Sequence, residues 1–401
     1  MYDSRLPELQ ESTQEPTLLG AASIPREDWD RAPWNRWSFQ HVRELVPTAQ
    51  VWRGTGPATP LPPALQDIDG IAFESDGQPA TVGSFFEANY ADGLLVLHRG
   101  KVVAERYFNG MTGHSQHLSQ SVAKSVVATV AGILIGRGLL DPAAPVTYYL
   151  PELEATAYRG ATVQQVLDMT TGVVFDETYT ALDSHIAKMD VASGWKARKD
   201  PSWPAHVFEL ILQLQASQNV HGAIFNYRSV ETDVLAFILQ SASGLKLPEL
   251  VSRELWAPMG AEEDAYFTVD SAGYGLADGG FNATLRDYAR FALLHLGGGE
   301  IAGRRLLPSA WLEDTRFGAR PDLFQGVYRD ILPSGAYHNQ FWIEDVERGA
   351  YMARGVFGQL IYIDPVGEFA AVVLSSWPEF LHAPRTRASL AAVRAIREAL
   401  A

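Results

Sequence analysis

The chain has no cysteine among its 401 residues. Disulfides, a thiolate nucleophile and cysteine-held metals are thereby excluded. Basic runs are missing too: 32 Lys and Arg stand against 47 Asp and Glu, a net charge of -15. Nucleic acid and anionic membrane surfaces are therefore poor partners. No apolar run is long enough to span a bilayer. The first twenty residues are acidic and polar, so no leader is visible and a cytoplasmic location is expected. H-E-x-x-H, a Walker A glycine loop and G-x-S-x-G are all absent, Gln240 to Gly244 being only superficially like the last. His114 and His117 have no acidic ligand beside them in the sequence. They read as a solvated loop, and no metal is expected.

Apolar residues are plentiful, at 47% with a mean hydropathy of -0.07, so a large core can form. The length predicts two to three domains. Residues 1–63 read as a tail followed by a wrapping segment. In the latter, Trp29, Trp34, Trp37, Phe39 and Trp52 are too much aromatic surface to leave in water; a partner-binding face is the alternative. Leu94 to His98 and Lys101 to Phe108 form two β runs around Arg99-Gly100, a hairpin. The middle is mostly helical, with pieces at Val163 to Met169, Ala205 to Gln215, Ser229 to Ser243 and Pro248 to Trp256, and a further helix opened by a capping box at Thr284-Leu-Arg-Asp287. β periodicity returns at Asn339 to Glu344, Gly358 to Ile363 and Glu368 to Ser375, and an amphipathic helix covers Pro384 to Ala401. The expected fold is α/β. One mainly antiparallel sheet, from residues 64–115 and 300–401, is flanked by terminal helices, and a helical lobe, residues 116–299, is inserted between its parts.

Ser121-Val-Ala-Lys124 stands where a polar stretch becomes an apolar helix, with Val126, Val127, Val130, Ile133 and Leu134 at helical spacing. Residues three apart share a helix face. A hydroxyl in the first turn, beside an ammonium and under the positive end of the helix dipole, is either an activated nucleophile or an ordinary N-cap. A second match, Ser193-Gly-Trp-Lys196, lies in a charged segment read as loop. In Phe225-Asn-Tyr227-Arg-Ser229, a tyrosine precedes a helix that Ser229 is suited to cap. Its hydroxyl either relays a proton or packs in the core.

Ser121-x-x-Lys124 followed about a hundred residues later by Tyr227-x-Ser229 resembles the serine β-lactamase and penicillin-binding-protein superfamily. More narrowly, Leu167 to Thr170, Ala192 to Trp195, Thr232 to Ala236, Gly273 to Gly280 and Leu374 to Pro378 are similar to the 6-aminohexanoate-dimer (nylon-oligomer) hydrolases and the β-lactamase-like carboxylesterases. The resemblance implies a β-lactamase/transpeptidase-like fold and a serine hydrolase that cleaves small linear amides, or esters, without a cofactor. A catalytically silent binding protein of the same fold is the alternative from outside enzymes. Ser121 would attack, Lys124 act as general base, and Tyr227 pass a proton to the leaving group. Backbone N–H groups of Ser121 and Val356 would hold the oxyanion. Tyr179 would donate to the substrate amide, Asp190 attract a substrate ammonium, and Asp278 and Phe357 line the cleft; the plainer alternatives are an exposed tyrosine, a solvated carboxylate, a turn residue and a packing side chain. Some relatives are homodimers, which leaves that state open here. The departure is at the third motif: Tyr351 to Gln359 holds neither K-T-G nor H-x-G. This argues against β-lactam or peptidoglycan substrates, and Arg354 is the one cation near that position.

Overall fold

The computed structural model describes residues 20–401 apart from Asp76, so the expected amino-terminal tail lies outside the described residues. Eleven strands build two antiparallel sheets: β1 (Thr48–Val51), β2 (Ala91–His98), β3 (Lys101–Tyr107), β4 (Gln116–Leu118), β5 (Ala265–Thr268), β6 (Phe281–Thr284), β7 (Ala336–His338), β8 (Phe341–Asp345), β9 (Ala350–Gly355), β10 (Gln359–Asp364) and β11 (Phe369–Ser375). The larger sheet runs β7-β8-β9-β10-β11-β2-β3, and the smaller β1-β5-β6-β4. The helices that position the site are α1 (Val122–Gly136), α2 (Val163–Leu167), α3 (His185–Ala192), α4 (Val207–Leu212), α5 (Val230–Ser243), α6 (Leu285–Leu296), α7 (Ser309–Phe317) and α8 (Ala383–Leu400).

The central strands read as continuous apolar runs because both faces of the large sheet are covered. Every residue of β2 is buried. Leu95 and Leu97 join the core that contains α1 and α6, while Leu94 and Val96 meet Leu390, Val393 and Ile396 of α8 on the other face. Helix α1 is buried from Val122 to Leu134, which is why its sequence is apolar all round rather than striped. It runs between the large sheet and α5, and so joins the two parts of the fold.

Three sequence expectations are corrected. The segment 116–299 carries β4, β5 and β6 besides its helices, and β1 pairs with β5, so a second, four-stranded sheet stands beside the main one, with two further two-stranded ribbons at Ala72–Ser75/Gln78–Thr81 and Glu300–Ile301/Arg304–Arg305. Strands this short hold too few residues to show a period of two. Of the segment Asp190 to Asp200 read as loop, Asp190 to Ala192 belong to the end of α3, while Ser193 to Asp200 are turn and irregular chain as expected. His117 is not solvated but fully buried in β4, within 3.0 Å of Asp92.

The tryptophan-rich segment is built into the body except for Trp52, which is 53% exposed. Trp29 is 1% exposed, its indole N–H donates to the Trp195 carbonyl at 3.1 Å, and its ring meets the Trp195 ring edge-on at 5.0 Å. Asn35 donates to the Trp377 carbonyl at 2.6 Å. Among the described residues, no single helix is long and apolar enough to cross a membrane.

Candidate active site

Strand β4 pairs with β6 and delivers the chain into the turn at Gln120, whose φ of 50° lies in the left-handed region. Ser121 follows as the first residue outside α1, and its side chain makes no capping hydrogen bond. The N-cap alternative therefore fails: Ser121 stands at the cap position with its hydroxyl turned elsewhere. One turn on, Lys124 is 1% exposed. Its Nζ donates to Ser121 Oγ at 3.0 Å and to the backbone carbonyl of Asp278 at 2.6 Å. The Tyr227 hydroxyl faces Ser121 and Lys124, and both favour its ionised form against the burial that opposes it. The Tyr227 ring lies 5.3 Å from the ammonium and stacks on Trp342 at 5.4 Å. Tyr227 is thus no mere packing residue.

Ser229 opens α5, yet it is not a capping side chain either. Its hydroxyl and its N–H both go to the carboxylate of Glu177, at 2.5 and 3.0 Å. Thr284 forms only half of the expected capping box: it accepts from the Asp287 N–H, and the Asp287 carboxylate takes the threonine hydroxyl.

Across the nucleophile turn lies the end of β9. Arg354 pairs with Leu360 and Gly355 with Gln359, which places Val356 immediately after the strand. Gly355 is obligatory on steric grounds, since a Cβ there would come within 2.6 Å of the Ser119 carbonyl oxygen. Phe357 follows with a φ of 61°. Gln120 and Phe357 therefore flank Ser121 and Val356 with strained backbone, a condition that collects at functional sites. Neither the Ser121 nor the Val356 N–H donates to another group among the described residues.

Ser121 and Val356 line two openings at once: a narrow pocket of about 40 Å³ that also takes in Asp30, Asp190, Asp278 and Phe357, and a wider cleft of about 710 Å³ that takes in Tyr227, Trp342 and Arg354. Asp190 is half-buried at the end of α3, and Asp278 is 7% exposed with Oδ1 unpaired. Phe357 packs on Phe39 and Phe380 at 5.2 and 4.7 Å. Tyr179 also lines both openings, but its hydroxyl donates to Glu177 at 2.9 Å and its ring stacks on Phe380. The second Ser-x-x-Lys match builds no such pair: Lys196 is ion-paired with Asp30 and donates to the Glu27 carbonyl at 2.7 Å.

The electrostatics form one cluster. Burial acts most strongly on Lys124 and pushes it down, but ionised Tyr227, Asp278, Glu177 and Asp233 together pull it above its ordinary value. Each of these neighbours is itself pushed up by burial, toward its neutral form. The pull on Lys124 therefore lapses as they take up protons, and protons are shared across the group. Asp190 is raised to about 8, by burial first and then by Asp30.

Glu177, Asp233 and Asp30 were not found from the sequence. Glu177 lies two residues before Tyr179, and Asp233 one turn after Ser229, where its Oδ1 accepts the Ala277 N–H at 2.9 Å. Both had a positional signal. Asp30 had none, since it lies among other charges far from every motif.

Residues 86–395 match the family model described as Beta-lactamase. The chain is 38% identical over 361 residues to the 6-aminohexanoate-dimer hydrolase of Paenarthrobacter ureafaciens, covering 90% of each chain. A Bacillus anthracis structure provisionally named as a 6-aminohexanoate-dimer hydrolase superposes with a TM-score of 0.85 at 30% identity, over 96% of this chain and 99% of that one. A family VIII carboxylesterase shares the fold at a TM-score of 0.56 and 16% identity, over 76% of this chain and 92% of that one. With its β-lactamase/transpeptidase-like fold, the chain belongs to the β-lactamase family and is a serine hydrolase of that family.

Proposed function

We propose that the chain hydrolyses small linear amides of the aminohexanoate-oligomer type through an acyl-enzyme on Ser121. The observation that carries this reading is the Ser121 hydroxyl, free of capping and held 3.0 Å from the Lys124 ammonium, with the Tyr227 ring 5.3 Å from that ammonium. The relative named for that activity is 38% identical over most of its length, which supports the substrate class.

Lys124, in its neutral form, takes the serine proton as Oγ bonds to the carbonyl carbon. The unused amides of Ser121 and Val356 receive the oxyanion; one such donor is typically worth about a hundredfold or more in rate. Tyr227 delivers a proton to the leaving nitrogen as the C–N bond breaks. The Lys124 ammonium then returns a proton to the Tyr227 oxygen; water attacks the ester as Lys124 takes its proton, and that proton goes to Ser121 Oγ as the C–O bond breaks. Asp190 faces the acyl side and binds the ammonium of an amino-terminal aminohexanoyl unit. The narrow pocket continues past Tyr179, Ile186 and Phe380 into a larger hollow, which gives a longer acyl chain room to extend.

The test is hydrolysis of an aminohexanoate dimer and a short-chain aryl ester, side by side, by the wild type and by Ser121→Ala. Loss of amide cleavage in the variant is the expected result. Ester cleavage without amide cleavage moves the assignment to carboxylesterase, and failure of a fluorophosphonate to label Ser121 supports a silent binding protein.

A further inference from the structure

Phe39 belongs to the tryptophan-rich wrap, is fully buried, and reaches toward both donors of the oxyanion hole. On the nucleophile side, its carbonyl accepts the N–H of Leu118, the last residue of β4, at 2.8 Å, and its ring meets the His117 ring edge-on at 5.8 Å. Leu118 stands three residues ahead of Ser121. On the other side the same ring meets the Phe357 ring edge-on at 5.2 Å, and Phe357 is the residue after Val356. Neighbouring residues of the wrap tie down the same loop. Asn35 donates to the Trp377 carbonyl at 2.6 Å, and the Trp377 N–H donates to the Phe357 carbonyl at 3.3 Å. The Arg31 guanidinium lies 4.7 Å from the centre of the Phe380 ring, while the Phe380 carbonyl accepts the Phe357 N–H at 3.0 Å.

The two donors stand on separate elements. The Ser121 N–H belongs to the turn between β4 and α1, and the Val356 N–H to the loop between β9 and β10. An oxyanion is held well only when both donors lie about 2.7–3.1 Å from one oxygen. The close approach of Gly355 to the Ser119 carbonyl sets how near the elements come, but not how the loop is turned. Phe357 keeps its φ of 61°, a conformation that a bulky side chain holds only where the surroundings fix it. The rings of Phe39 and Phe380 pack on it. An edge-on aromatic pair has a preferred geometry, so an aliphatic side chain in its place fills volume without fixing the angle.

We propose that Phe39 is a positioning residue for the oxyanion hole: through Leu118 and Phe357 it holds the Ser121 and Val356 N–H groups at the spacing that one oxygen needs. It touches no reacting atom. The inference rests on the acyl-enzyme reading of Ser121. It extends the support of the catalytic site into a segment that precedes the residues matching the family.

Phe39→Leu tests it, with Phe39→Met as a milder variant should the leucine form fail to fold. Ile396→Ala, in the core on the opposite face of the large sheet, is the destabilised control. Each is measured at a temperature where melting curves show it folded, and rates are normalised to the fraction of Ser121 that a fluorophosphonate labels. The readouts are kcat/KM for a short-chain aryl ester and for the aminohexanoate dimer, and the inhibition constant of phenylboronic acid. Boron takes the Ser121 Oγ electron pair into a B–O bond as the serine proton passes to Lys124, so a boron hydroxyl occupies the oxyanion position. In Phe39→Leu the ester kcat/KM is expected to fall by about tenfold, part of what losing a whole donor costs, and the boronate constant to rise by the same factor. Phe39→Met shows a smaller change in both, and Ile396→Ala melts earlier with both at the wild-type level. A Phe39→Leu form that melts earlier but keeps its ester rate and boronate constant overturns the proposal, as does a rate loss without a change in boronate binding. Ester turnover that survives Ser121→Ala removes the acyl-enzyme reading and the proposal together. A dimer left uncleaved, while the ester and the boronate both respond to Phe39, removes the amide reading alone and supports the proposal.

Discussion

Lys124 and Ser121 stand one helical turn apart at the start of α1, with Nζ 3.0 Å from Oγ, and the same ammonium is fixed by the Asp278 carbonyl at 2.6 Å. The Asp278 carboxylate, 3.9 Å away, favours the cation. Asp278→Asn keeps the carbonyl and removes the charge. Lys124 then loses its proton more readily, and the acid limb of the kcat/KM profile moves down by about one pH unit. Lys124→Met, which removes the base, lowers kcat by about a hundredfold or more.

Tyr227 separates amides from esters. An amine leaves only with a proton, whereas an activated phenolate leaves without one. Tyr227→Phe keeps the stacking on Trp342 and lowers kcat for the aminohexanoate dimer by about a hundredfold or more. The loss for an aryl ester is smaller. Equal losses on both substrates would assign Tyr227 to positioning instead.

Asp190, raised to about 8, binds a proton in the free enzyme across much of the neutral range. An ammonium substrate competes with that proton, so KM for the dimer rises as pH falls below 8, while KM for a neutral ester does not. Stability moves the other way. A carboxyl whose folded value lies above its ordinary 3.8 makes the folded state the better proton binder between 3.8 and about 8. Its contribution is present at low pH and is lost as pH rises through that window. Asp190→Asn therefore gains thermal stability over the wild type at pH 8, and the gain shrinks toward pH 4. Thermal melts at the two pH values check this.

His338, on β7, sits between Asp168 at 2.8 Å and Asp314 at 2.9 Å, and the pair overcome burial to raise it to about 10. It pins the β7–β8 turn to α7 and to the end of α2. The raised value stabilises the fold below the ordinary 6.5, an effect lost as pH climbs toward 10. His338→Gln is expected to cost about 2 kcal/mol at pH 6, where Asp314 is half-exposed and screened, and less at pH 9.5. Urea unfolding at both pH values measures the difference.

The late strands β8, β10 and β11 and the hairpin β2–β3 were legible in the sequence because each is an apolar run bounded by a turn. The nucleophile helix was legible because an apolar series at helical spacing begins at Val126, five residues after Ser121. Strands β1, β4 and β5 were not. They hold three or four residues each, and they are strands because segments distant in sequence pair with them, as β1 does with β5 from Thr48 opposite Thr268 to Val51 opposite Ala265. The site divides in the same way. Ser121, Lys124 and Tyr227 carry local patterns. Asp30 enters the narrow pocket only because Trp29 anchors its segment on Trp195, a contact 166 positions away. Arg354 could be named as a cation but not aimed, since its face follows from the register of β9 on β10.

The central claim is that Ser121 forms an ester with the ammonium-bearing half of a linear amide. Acid-quenching the enzyme during turnover of the aminohexanoate dimer, and mapping the mass of the peptide that contains Ser121, tests it most directly. The expected result is one added aminohexanoyl group on Ser121 in the wild type, and none in Ser121→Ala. Turnover with no adduct on Ser121 but one on another residue, or turnover retained by Ser121→Ala, would contradict the account.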